Sequence, residues 1–178
     1  GTGGSFAGQL GPGGLAEELA ESDTPTALLA IDLPEHGSRR GDSTREPEDL
    51  FFNFANPQAA RGNVLQGSAD LMALTLFVGE GISASKSPTN DAISFDDSRV
   101  LVMGHSQGAT HTALMLPYEA RVQAGVLSGV GGHLATSLRQ KEKPVDVGAI
   151  LPFVLFDVEE SSGELAGKEF NPALALIQ

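Results

Sequence analysis

Hydrophobic positions fall into short blocks that alternate between strand and helix periods, separated by polar or glycine-rich breaks. Leu15 to Ser22 (LAEELAES) has helical spacing and is closed by turn residues from Asp23 to Pro25. Thr26 to Leu33 (TALLAIDL) is a continuous apolar run, which predicts a strand buried on both faces and ended by Pro34. The charged stretch from Glu35 to Asp49 contains Gly37, Gly41 and Pro47 and predicts a surface loop. Phe51, Phe52 and Phe54 lead into Asn56-Pro57, where Pro57 suits the first turn of a helix. The spacing of Leu65, Leu71, Leu74 and Val78 predicts a helix running into Gly79 and Gly81. After a polar loop (Ser83 to Ser98), Arg99 to Gly104 (RVLVMG) predicts a second strand. Ala109 to Leu116 then predicts a helix, and Val122 to Leu127 a third strand. Beyond Gly129 the pattern blurs into an apolar stretch, an acidic loop (Asp157 to Glu169) and a last helix from Pro172. Strands alternating with helices predict an α/β protein with a mostly parallel sheet flanked by helices.

A chain of 178 residues is enough for one domain with a real core. Residues 1–138 read as the core segment, and 139–178 as a cap- or insertion-like segment of the same domain. The net charge of −12 excludes nucleic acid, because lysines and arginines must replace the counterions of a phosphate backbone. It also disfavours anionic substrates and negatively charged membrane surfaces. Without cysteine there is no disulfide, thiolate metal site or thiol nucleophile, although the compartment stays open. No stretch reaches the ~18 apolar residues of a membrane span. The run from Ala149 to Phe156 is short and contains Pro152. A chain that opens on Gly1 is expected to have lost something upstream.

The chemistry concentrates in Gly104-His105-Ser106-Gln107-Gly108, which follows a predicted strand and opens a predicted helix. A serine hydroxyl is a poor nucleophile and must project from a sharp, strained turn to reach a substrate. Gly104 and Gly108, lacking Cβ, are expected to let strand and helix pass close together. The helix N-terminus then aims free N–H groups at any oxyanion beside the serine. Ser106 is the candidate nucleophile, and the Gln107 N–H a candidate oxyanion donor. A second donor is expected from the opening Gly-Thr-Gly-Gly-Ser turn, with Thr2 as first candidate and Gly3 next. Dinucleotide binding is not supported, because Phe6 stands where the third glycine would be needed.

Taken in order, GTGGS, ALLAIDLPEHGSR, RVLVMGHSQGA and AGVLSG resemble the core of the α/β-hydrolase fold. The resemblance implies that the three predicted strands are the fourth, fifth and sixth of the family sheet, so that the core is incomplete. It makes GHSQG the nucleophile elbow and the opening glycines the oxyanion turn. DLPEHG is similar to the family turn Asp-x-Pro-Gly-His-Gly, with Glu35 in place of a glycine. The stretch FFNFANPQAARGNVLQGSADL further resembles a subgroup of bacterial lipase-like hydrolases. The similarity fades after about Leu138, and GHSQG is its only specific motif.

The family order is serine, acid, then histidine, yet residues 139–178 contain no histidine. The base and acid are therefore expected from outside this chain. Of the four histidines, His105 is expected to pack beside neighbouring strands and His36 to brace loops. His111 lies five residues after Ser106 and, at about 100° per residue, points away from it as a surface or packing residue. His133 follows the third predicted strand at the carboxyl edge of the sheet, where function collects. It is the one candidate base within the chain. The late carboxylates Asp157, Glu159, Glu160, Glu164 and Glu169 read as solvated surface, without the spacing of a calcium loop.

These readings converge on a serine hydrolase of esterase or lipase type. It would act on a small neutral ester or acyl substrate and need no cofactor or metal. The alternatives are a non-catalytic α/β-hydrolase-like module that binds a ligand or partner, and a second chain that completes the sheet and supplies the base.

Overall fold

The computed structural model describes residues 3–53, 56–80 and 95–133, together with positions 136, 137, 140, 142, 146 and 149. The 139–178 segment, with the acidic loop and last helix expected there, thus lies almost wholly outside the described residues, as do Thr2, Phe54 and residues 83–94. In chain order come α1 (Ala7–Leu10), α2 (Leu15–Ala20), α3 (Pro47–Phe52), α4 (Pro57–Gly79), β1 (Val100–His105), α5 (Gln107–Met115) and β2 (Val122–Ser128). A parallel pair of strands packed by α5, with α4 against α5, makes the chain mixed α/β.

The expected first strand is absent as such. Thr26 to Leu33 carries no strand assignment, and the sheet of the described residues is the pair β1–β2. A strand is defined by its ladder, and apolar content alone does not supply a pairing edge. The charged stretch before Asp49 also holds more structure than a loop. Gly37–Arg40 forms a 3₁₀ turn, and Pro47 opens α3 rather than breaking the chain.

The unit β1–α5–β2 forms as its sequence predicts. Met103 pairs with Val126 and His105 with Ser128, in parallel. Gly104 is buried where β1 crosses α5, and a Cβ there would lie 2.5 Å from the Gly108 carbonyl oxygen and 2.7 Å from Ala109 Cα. Only glycine lets the helix come this close. The other sheet face is open: Leu101, Met103 and Val126 are 63%, 56% and 58% exposed.

Asn56 caps α4 by accepting from the Ala59 N–H, with Pro57 in the first turn. The helix is 23 residues long. Its leucine spacing announces it, but its buried residues are Gly67, Ser68 and Thr75, while Leu65 and Leu76 are exposed. Small residues let α4 approach α5 closely, and a Cβ on Gly67 would sit 2.7 Å from the His111 ring. The largest fully buried side chains among the described residues are Phe51, Met115, His36, His111 and Thr112, so two imidazoles stand where aliphatic groups are usual. Phe51 meets both rings edge-on, at 5.9 Å from His36 and 5.5 Å from His111. At the far end of α5, buried Glu119 accepts from the backbone and side chain of Arg121.

Candidate functional site

Ser106 sits between the last residue of β1 and the first of α5, with φ 54° and ψ −119°. A positive φ on a non-glycine residue is costly, and the turn imposes it. The Ser106 N–H donates to the Ser128 carbonyl at 2.8 Å, which carries the strand pairing into the elbow. The Ala109 and Thr110 N–H groups take the Ser106 carbonyl and start the helix. With its backbone held on both sides, the side chain is left exposed. No hydrogen bond joins it to a histidine among the described residues.

Gln107 is the first residue of α5, so its N–H is one of the groups that a helix leaves without an internal acceptor. Serine and open N–H therefore adjoin at a helix N-terminus, where partial positive charge favours an oxyanion. Of the two elbow glycines, Gly104 is required by packing as described. A Cβ on Gly108 would meet nothing within 4 Å, so close passage there depends on Gly104.

The opening turn is differently occupied. Thr2 lies outside the described residues. The Gly3 N–H donates to His36 Nε2 at 3.1 Å, so it is already engaged and is not a free oxyanion donor. His36 Nδ1 in turn donates to the Pro34 carbonyl at 2.8 Å, and His36 thereby braces the two turns against each other. Buried Asp32 assists by accepting from the Phe6 N–H at 2.8 Å. Glu35, in the position where the resemblance implies glycine, has φ 64°.

His105 is exposed rather than packed, and touches the neighbouring strand through a 3.0 Å contact from Nδ1 to the Ser128 hydroxyl. His111 is fully buried against α4, with Nδ1 3.0 Å from the Val64 carbonyl. Burial, the largest influence on it, pushes its pKa below the ordinary histidine value. His133 is exposed and caps a turn: its Nδ1 accepts from the Thr136 N–H at 3.2 Å and lies 2.9 Å from the Thr136 hydroxyl. With Nδ1 an acceptor, the neutral ring carries its proton on Nε2. A base taking a serine proton through Nε2 needs the opposite tautomer.

An open cavity of about 390 Å³ lies between Phe6, Ile31, Asp32, Arg39, Asp70 and Ala73 and includes no elbow residue. Arg39 bridges it, bonding the Asp32 carbonyl at 2.9 Å and the Asp70 carboxylate at 2.6 Å. Among the described residues no cluster of three or more histidine, cysteine or acidic side chains is placed to hold a metal. No helix among them is long and apolar enough to cross a membrane. No family model, curated protein or solved structure matches the chain.

The sequence missed the buried pair Gln107 and His111. A signal was present, because positions four apart on a helix share a face.

Proposed function

We propose that the chain carries the nucleophile segment of a serine hydrolase of esterase or lipase type, with an α/β-hydrolase-like core. The observation that carries this reading is Ser106: an exposed hydroxyl on a residue with φ 54°, between a parallel strand and a helix N-terminus. A strained strand-to-helix turn of this kind is what projects a serine nucleophile.

In the proposed reaction Ser106 Oγ bonds to the carbonyl carbon of a neutral ester while its proton passes to a histidine base. The carbonyl oxygen becomes an oxyanion facing the Gln107 N–H. The carbon–oxygen bond to the leaving alcohol then breaks, the base returns the proton to the alcohol, and an acyl-serine remains. Water attacks the acyl carbon and gives a proton to the base; the bond from that carbon to Ser106 Oγ then breaks, the base returns the proton to Oγ, and the acid leaves. The base and its acid partner are not assigned to any described residue.

The test is labelling with a fluorophosphonate, which reacts with an activated serine, read by intact mass on this chain and on Ser106→Ala. Labelling that disappears in the variant supports the reading and means that a base reaches Ser106 in this chain. His133→Ala then asks whether that base is His133. A folded chain that takes no label favours the non-catalytic binding module or a base on a second chain.

A further inference from the structure

Beneath the elbow, the Gln107 side chain is 7% exposed and lies one helical turn before His111, which is wholly buried. Gln107 Nε2 stands 3.5 Å from His111 Nε2, a long contact, and Gln107 Oε1 is buried with no hydrogen-bond partner among the described residues. Native interiors rarely tolerate such an orphan acceptor, and it calls for an explanation.

The imidazole supplies one. His111 Nδ1 faces a carbonyl, the Val64 oxygen, and so must carry a proton. In the neutral ring Nε2 is then an acceptor, which is why the amide presents its nitrogen there. Adding a proton to Nε2 sets N–H against N–H. The relief nearest to hand is rotation of the Gln107 amide by a half turn, which brings the orphan Oε1 onto the new donor. The ring itself is fixed, wedged between Gly67 of α4 and the edge of Phe51.

We propose that His111 and Gln107 form a proton-sensitive latch under the elbow, in which the protonation state of His111 sets the orientation of the Gln107 amide. The inference rests on the reading of Ser106 as nucleophile only for its purpose, since Gln107 also bears the N–H facing the oxyanion. His111 is a positioning residue, acting through Gln107. The ionisable groups acting on it are His36 across Phe51, which opposes its protonation, and Asp70 on α4, which favours it and is paired with Arg39. No other ionisable side chain lies on α5, and the nearest on β1, His105, is exposed. The charged residues Arg61 of α4 and Glu48 and Asp49 of α3 are exposed too. Turning the amide leaves its NH₂ without its present acceptor but pairs Oε1 with a charged donor, so the two protonation states hold the amide in opposite orientations.

Nitrogen-15 NMR of the full chain, titrated from pH 7.5 down through the His111 midpoint, tests this. The expected result is a neutral His111 with its proton on Nδ1, and backbone and side-chain amide resonances of Gln107 that move at the His111 midpoint. Gln107 resonances that ignore that midpoint overturn the proposal. In Gln107→Glu a carboxylate faces Nε2, and the His111 midpoint should rise by about one pH unit or more, roughly tenfold in proton affinity. An unmoved midpoint overturns the proposal; should the variant fail to fold, the wild-type titration still decides. Coupled resonances in a chain whose Ser106 takes no fluorophosphonate support the latch and count against a working base within this chain. Labelled Ser106 with uncoupled resonances does the reverse.

Discussion

Replacing Ser106 by glycine should make the protein more stable while removing its proposed nucleophile. A non-glycine residue held at φ 54° stores strain of about 1–3 kcal/mol. Glycine releases that strain but brings back about 0.5–1 kcal/mol of unfolded-chain entropy, which leaves a net gain of about 1 kcal/mol. Little else changes, because the side chain is exposed and all three backbone hydrogen bonds at this position survive. Ser106→Ala is the control: it deletes the same hydroxyl but keeps a Cβ, so its stability should match the parent within about 0.5 kcal/mol. Urea denaturation of the three proteins measures this. With a slope of about 2 kcal/mol per molar, the glycine variant should melt about 0.5 M later than the alanine variant. Coincident midpoints for the two variants would mean that the turn is unstrained, and the main argument for a projected nucleophile would fall.

Other expectations follow from the same reasoning. Glu35→Gly should stabilise by about 1 kcal/mol, because Glu35 holds φ 64°, whereas Glu35→Ala should not; thermal melts compare them. Gly104→Ala should cost about 3 kcal/mol or prevent folding, since the new methyl meets backbone atoms that cannot yield; circular dichroism melts would show it. Burial alone would raise the Glu119 pKa, but hydrogen bonds from Arg121 and Thr75 outweigh it and hold it below the usual carboxylate range. Its folded-state pKa is therefore depressed, so its contribution is complete above the unfolded carboxylate value and is lost as pH falls through the folded one. Glu119→Gln should accordingly cost about 1–2 kcal/mol at pH 7, and the gap to the parent should close in acid titrations of stability.

Local pattern was legible wherever one element carried its own signal. RVLVMGHSQGA announced a strand, a tight turn and a helix. All three form, because periodicity, glycine and helix start are properties of adjacent residues. Asn56-Pro57 likewise marked the start of α4. Thr26 to Leu33 looked equally strand-like and forms no ladder among the described residues, since pairing depends on what lies alongside.

Tertiary structure decided the rest. Leucine spacing located α4, yet its buried face is Gly67, Ser68 and Thr75, chosen by how closely α5 had to approach. Gly3 was legible as part of a glycine turn, but only the fold could bring His36 from thirty-three residues away to engage its N–H. The tautomer of His133 and the orphaned oxygen of Gln107 are equally beyond a linear reading, because both depend on which atoms meet through space. The sequence by itself determined where a serine would be thrust out of the chain, since that rests on five consecutive residues. Which groups brace that serine was settled by packing, where burial converts a distant imidazole into a neighbour.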